Sequence, residues 1–403
     1  MDISADPELE QFRADVAAFL DQAPTEEIRR TGRRTTSVFP PFDQVMAWQR
    51  ILADKGWAAP GWPVEYGGTG WSIEQRLVFA EEYQRRDLPP LLPNGLKMIG
   101  PLIIDKGSEE QKKRYLPGIL NGEDYWTQGY SEPGSGSDLA SLRTTAVRDG
   151  DDYIINGSKI WTTLAHRANR MFMLVRTSSD GPKQAGITFL LLDRMDYPGM
   201  QVRPIVNLTG EEEQCEVFFE DVRVPQSSRV GEENDGWAIS KHLLTYERGA
   251  SLQAPTMQRH LEKIADAAAQ RPGPQGGVLA DDPVFARDLG ELAAEIASFG
   301  HVEMLILSQH PMTADPAMPS MNKVMLSELT QKVTVLMTRV AGIAGVPLQL
   351  DALDPASGVD PLGSELDLVA MPYYLNSRAT TIYAGTNEVQ RGLIARSLTP
   401  GRR

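Results

Sequence analysis

With 403 residues, 41% of them apolar, the chain is long enough for two or three domains and a sizeable core. A formal charge of −14 disfavours nucleic acid and anionic membranes as partners, because phosphate binding needs clustered lysine and arginine. A single cysteine, Cys215, excludes an internal disulfide, and without a CxxC pair or histidine cluster no metal site is expected.

The first residues, Met-Asp-Ile-Ser-Ala-Asp, lack the basic and apolar regions of a signal peptide. No apolar run approaches the roughly 20 residues of a membrane helix, so a cytoplasmic protein is expected. Residues 1–125 read as an N-terminal helical domain. Pro7–Leu20 and Ile73–Tyr83 carry apolar residues at a helical period, with Ser72 as N-cap of the second. Lys97–Ile104 is apolar, and Ser108 to Gln111 forms a capping box for a further helix. The Pro/Gly-rich loop Ala59–Gly68 is expected to be non-helical.

Residues 126–235 read as a middle β domain, an antiparallel barrel or sandwich. Its strands are expected at Thr144–Val147, Tyr153–Ile155, Met171–Val175, Ile187–Leu192, Val202–Val206 and Val217–Phe219. Asp149–Asp152 and Asn156-Gly157 are turn signals. Cys215 lies in a β-rich stretch and reads as a small buried hydrophobe. Residues 236–403 read as a C-terminal four-helix-bundle domain, with helices at Trp237–Met257, Pro283–Gln309, Ser320–Ala344 and Thr386–Arg396. Arg271–Asp282 and Asp351–Gly363 read as loops. The expected class is α+β multidomain.

Four segments stand out. Tyr125 to Asp138 is rich in glycine and small hydroxyl residues, which let backbone N–H groups approach a ligand. Asn156 to Thr163 sets Trp161 beside Thr162 and Thr163. An indole there can lie on a flat ring while hydroxyls bond its edge, although alone the segment reads as a strand with a core tryptophan. Thr245-Tyr246-Glu247-Arg248-Gly249 is helical, with neighbouring side chains about 100° apart. Ala379 to Arg396 places Thr386 as N-cap of the last helix, where N–H groups suit a polar ligand.

Together and in this order, these segments resemble the acyl-CoA dehydrogenase family. Ser131-Glu132-Pro133-Gly134-Ser135-Gly136-Ser137-Asp138, Asn156-Gly157-Ser158-Lys159-Ile160-Trp161-Thr162-Thr163 and Tyr383 to Arg391 each match a family motif. The likeness implies FAD between the β domain and the C-terminal bundle, completed by a neighbouring subunit. Tyr130 and Ser131 would meet the flavin near N5. Trp161 would stack on one face, with Thr162 and Thr163 at its edge. Thr386 and Glu388 would reach cofactor atoms. Ser137 and Arg248 would meet the acyl-CoA.

Most of the family carries its catalytic glutamate after the tyrosine of the last motif, where this chain has Ala384. Either the chain is inactive or its base lies elsewhere. A minority of the family places the base just before the arginine of the substrate-side helix, here Glu247, and relocation is the better explanation. The Ala384 backbone N–H would still polarise the thioester carbonyl, and the small side chain leaves room for a bulky or steroid-derived acyl group. The family's glutamine before a Gly-Gly run is replaced at Ala341, and its adenine-side arginine segment is only loosely matched at Arg271-Pro272-Gly273. These losses resemble bacterial steroid-degrading relatives that assemble as α2β2 heterotetramers; a homotetramer is the other assembly considered. The expected electron acceptor is an electron-transfer flavoprotein. Two alternatives are a non-catalytic flavin-binding partner subunit and an oxidase-type relative.

Overall fold

The computed structural model describes residues 6–37, 39–248, 252–308 and 317–399. The side chains of Glu247 and Arg248, and all of Gly249, lie outside the described residues. Among the described residues, six α-helices precede the sheet: α1 (Pro7–Gln22), α2 (Glu26–Arg33), α3 (Phe42–Asp54), α4 (Ile73–Arg85), α5 (Gly100–Lys106) and α6 (Glu109–Asn121). Local side-chain chemistry sets several starts. Asp6 caps α1 and Thr25 caps α2, while Ser72 with Gln75 and Ser108 with Gln111 form capping boxes on α4 and α6.

The apolar run at Lys97–Ile104 is not one α-helix. A π-helix spans Asn94–Ile99 and passes into α5 at Gly100. Pro101 has no N–H to continue the i→i−4 ladder, which accounts for a change of register there. The loop expected at Ala59–Gly68 holds one 3-10 turn, Val64–Tyr66, closed by Gly67 at φ 93°.

The sheet contains β1 (Trp126–Gly129), β2 (Thr145–Asp149), β3 (Asp152–Thr163), β4 (Arg170–Arg176), β5 (Ile187–Leu192), β6 (Met200–Ile205), β7 (Gln214–Pro225) and β8 (Arg229–Val230). Its order is β6-β7-β3-β2-β4-β5-β8, with β1 on β4. Most ladders are antiparallel as expected, but β1–β4 and β2–β4 run parallel. The β5 side chains are all buried, and Phe172 of β4 stacks on Phe189 of β5 at 6.1 Å. Cys215 is buried on β7, with His166 Nδ1 3.2 Å from its sulfur.

Asn156-Gly157 is not a turn. The β2–β3 hairpin turns between Asp149 and Asp152, and β3 runs on through Gly157. Gly157 has φ 143°, and a Cβ there would lie 2.7 Å from Thr144 Cα. Asn156 exchanges two 2.9 Å hydrogen bonds with Asp221, which has φ 50° where the β3–β7 register shifts. The pair serves a close approach and a bulge.

Beyond the sheet come α7 (Gly236–Arg248), α8 (Ala254–Ala268), α9 (Pro283–Ser308), α10 (Met318–Ala341), α11 (Leu350–Leu353), α12 (Glu365–Ser377) and α13 (Asn387–Leu398). The single helix expected at Trp237–Met257 is two, with Leu252 left-handed at φ 54° and Pro255 in the first turn of α8. The C-terminal end of the expected Ser320–Ala344 helix is a 3-10 turn, Gly342–Gly345. Short α11 begins the stretch expected as a loop from Asp351.

The chain divides into two units, Met1–Trp48, Trp71–Pro90 and Arg248–Arg403 in one, Gln49–Gly70 and Leu91–Glu247 in the other. In the first, Leu261, Phe285, Phe299, Val333, Leu336 and Leu368 join α8, α9, α10 and α12 in one core. In the second, a core including Trp62, Ile99, Trp126, Phe172, Phe189 and Leu243 joins helices to one part of the sheet, and a further cluster includes Tyr153, Met173 and Val217.

Within the second unit β3 carries an ammonium into the interior. Lys159 is fully buried, and its Nζ donates to Glu132 Oε1 at 2.8 Å and to the Tyr130 carbonyl at 3.2 Å. Glu132 also accepts from Arg143 N at 2.6 Å and Thr144 N at 2.9 Å. Burial alone would raise the Glu132 carboxyl, but Lys159 and these donors bring it below its ordinary value. Burial pulls Lys159 down to about 8, against the upward pull of Glu132. The partners therefore shift for different reasons, and three N–H donors on one carboxylate favour the charged pair at neutral pH. Lys159→Met strands a buried carboxylate. Urea unfolding should lose roughly 3–5 kcal/mol; unchanged stability would mean the carboxylate tolerates isolation.

Candidate functional site

The loop after β1 is tightly held. Tyr130 is buried, its ring edge-on to Phe172 at 6.0 Å and Phe189 at 6.3 Å. The Ser131 carbonyl accepts from Ile160 N at 2.9 Å. Glu132 and Ser135 exchange backbone hydrogen bonds of 2.9 and 3.0 Å around Pro133-Gly134. The Ser135 hydroxyl donates to the Asp138 carbonyl at 2.8 Å. Ser137 is exposed, and Gly134 and Gly136 face open space.

At the end of β3 the register passes from Lys159↔Val217 to Thr162↔Cys215, three residues against two. The extra residue makes a β-bulge. In it Trp161 adopts φ 59° and is 59% exposed. A bulky residue in the left-handed region is strained, and such strain gathers at ligand sites. The core tryptophan that the isolated segment suggested is therefore overturned. Thr162 is fully buried, and its Oγ1 has no hydrogen-bond partner among the described residues. Thr163 is engaged, its hydroxyl donating to Gln214 Oε1 at 3.1 Å.

Tyr130 and Ser131 are thus brought together with Trp161, Thr162 and Thr163 in one unit. Sequence reasoning quoted Glu132 and Lys159 inside their motifs but gave neither a role. A lysine in the apolar β3 run was the available signal.

The other unit carries the last motif. Ala384 has φ 54° and Gly385 φ 82°, a left-handed turn before α13. Thr386 Oγ1 accepts from Val389 N at 3.3 Å as N-cap. Glu388 lies in the first turn, its carboxyl held low by its own backbone N–H and the Thr386 hydroxyl. Buried Asn387 accepts from Lys323 Nζ at 2.8 Å and Ser327 Oγ at 3.1 Å, a bracing that the motif did not disclose. Arg271 donates to the Asp367 carboxylate at 2.5 Å and the Ala341 carbonyl at 3.3 Å.

Helix α7 belongs to the sheet-bearing unit through Glu247. Ile239 and Leu243 bury one face. One turn apart, His242 and Tyr246 converge on Asp105 of α5, His242 Nε2 lying 2.9 Å away and the Tyr246 hydroxyl donating to the same oxygen. Burial alone would raise Asp105, but these two partners hold it below its ordinary value. Glu247 follows Tyr246 in the last turn of this anchored helix.

Two grooves of the helical unit, about 540 and 530 Å³, contain Arg271 in the second but none of the expected flavin-contacting residues. Shape alone does not mark the chemistry. The sheet-bearing unit does offer an exposed indole on a strained bulge, a buried hydroxyl in need of a partner, and open glycines. Those features fit a flat ring with a hydrogen-bonding edge, as in FAD. Among the described residues, no group of three or more His, Cys, Asp or Glu is arranged to hold a metal, and no helix is long and apolar enough to cross a membrane.

Comparison with known proteins agrees. Profiles of the acyl-CoA dehydrogenase N-terminal, middle and C-terminal domains match residues 6–123, 127–222 and 234–399. Acyl-CoA dehydrogenase IpdE1 of Mycobacterium tuberculosis is 34% identical over 397 residues, covering 96% of each chain. Acyl-CoA dehydrogenase FadE29 of the same organism is 34% identical over 399 residues, covering 98% of each. Among solved structures, the ChsE4-ChsE5 complex from Mycobacterium tuberculosis matches with TM-score 0.81 and 30% identity, covering 100% of both chains. The Tcur3481-Tcur3483 steroid ACAD matches with TM-score 0.81 and 30% identity, covering 98% of both. All three domains match in chain order, so the protein belongs to the acyl-CoA dehydrogenase family, whose enzymes use FAD to oxidise acyl-CoA thioesters.

Proposed function

We propose that Glu247 is the base in this enzyme's α,β-dehydrogenation of an acyl-CoA to the trans-2-enoyl-CoA. The observation that carries the reading is Ala384 in its left-handed turn, where a methyl group stands and no proton can be taken. Glu247, in the last turn of α7, is the carboxylate that the family resemblance supplies instead.

FAD, when bound, supplies the acceptor for the β-hydride. Ser131, beside Tyr130, would hydrogen-bond the flavin, and Trp161 would cover one face of it. Thr162 has a hydroxyl to give, whereas the Thr163 hydroxyl is held by Gln214. Thr386 and Glu388 would hold the cofactor from the start of α13, and Ser137 and Arg248 would hold the acyl-CoA. The Ala384 N–H donates to the thioester carbonyl, lowering the pKa of the α-proton toward that of the carboxylate. An electron-transfer flavoprotein would be the electron acceptor, and the cytoplasm the compartment expected for the pair.

A bulky, steroid-derived acyl group suits the space that an alanine leaves at 384. Likeness to a structure titled a steroid ACAD supports the same choice. Pairing with a second acyl-CoA dehydrogenase-like chain as α2β2 is supported by two structural relatives named as two-chain assemblies. It is also supported by Arg271, whose guanidinium is taken up by Asp367 and the Ala341 carbonyl within its own unit.

Glu247→Gln should slow anaerobic flavin bleaching by acyl-CoA about 10²–10⁴-fold with FAD content unchanged; bleaching at the parent rate would remove Glu247 from the role. Trp161→Gly relieves a conformation costing about 1–2 kcal/mol. The apo protein should then melt no lower while FAD binds more weakly, and unchanged FAD affinity would return Trp161 to a structural part. In the purified two-chain complex, the flavin absorbance should give fewer FAD than chains. A protein that purifies without a second chain and carries one FAD per chain would be the homotetramer instead.

A further inference from the structure

The Glu132–Lys159 pair is built more elaborately than fold stability requires. Replacing a buried ion pair by apolar residues of similar volume is often neutral or stabilising. What an apolar pair lacks is direction. Here consecutive residues of β3 grip consecutive residues of the loop after β1. Lys159 Nζ takes the Tyr130 carbonyl at 3.2 Å, Ile160 N takes the Ser131 carbonyl at 2.9 Å, and Lys159 Nζ takes the Glu132 carboxylate at 2.8 Å. The next residue of β3 is Trp161 in its bulge. On the far side, Glu132 is fixed to the backbone N–H groups of Arg143 and Thr144.

We infer that Glu132 and Lys159 are positioning residues of the flavin face, fixing Tyr130 and Ser131 against the Trp161 bulge. This rests on the reading of those two segments as the flavin face. Neither residue need touch the cofactor. If Lys159 shifts, Tyr130 and Ser131 lose their register with the indole, and the surface that meets a flat ring is no longer one surface. Both charges lie in the interior, so the device is not screened by solvent.

The test compares the parent, Lys159→Met, and the double variant Glu132→Gln with Lys159→Met, each with its second chain where the purified protein carries one. Thermal midpoints of the apo forms report folding. FAD affinity by fluorescence titration, and visible circular dichroism of bound flavin, report positioning. The double variant removes both charges, so its midpoint should recover toward the parent. Its FAD affinity should stay weaker by roughly tenfold, the equivalent of one lost hydrogen bond, with altered flavin dichroism. Recovery of affinity and dichroism in step with the midpoint would overturn the proposal, as would Lys159→Met binding FAD like the parent. The Trp161→Gly titration tests the flavin-face reading separately, and neither readout depends on Glu247.

Discussion

Lys159 carries its charge to a place where solvent does not reach, and an ammonium there must find its partners in the protein. It finds them in the loop after β1, at the Tyr130 carbonyl and the Glu132 carboxylate. Two segments 27 residues apart at their charged ends thereby become one body. The platform beneath is rigid for a separate reason. β4 and β5 are central strands, and Phe172, Phe189 and Tyr130 interlock edge and face. Onto this base β3 delivers a bulge whose strained tryptophan stands in solvent rather than in the core.

The proposed base lies away from the position where most of the family carries its glutamate. Alanine at 384 keeps the backbone turn and discards the carboxylate. Helix α7 ends at Arg248, and the last turn of a helix frays easily. Asp105 answers it by holding both His242 and Tyr246, the latter adjacent to Glu247. That anchoring is a feature of this helix that family motifs do not mention. It gives the last turn of α7 a steadier mount than a free helix end.

Features decided within a few residues were legible in the sequence. The caps at Ser72, Ser108 and Thr386 follow from one side chain and a backbone N–H three residues on. The buried runs of β4 and β5 were readable from apolar β-branched and aromatic residues. Features decided across the chain were not. Asn156-Gly157 has the letters of a turn, yet Thr144 and Asp221 determine its use. Trp161 turns outward because of a register shift against β7. Helix α12, absent from the sequence reading, holds Pro372 within it. The family motifs themselves were recognised by resemblance, since each alone reads as an ordinary loop, strand or cap.

A crystal structure of the FAD-loaded protein tests the account most directly. It should place the isoalloxazine ring in van der Waals contact with the Trp161 indole, about 3.5–4.0 Å away. Ser131 should lie at the ring's edge, and the Lys159–Glu132 contact should be unbroken. A flavin seated away from the bulge, or a tryptophan folded back into the sheet with the ion pair parted, would contradict it.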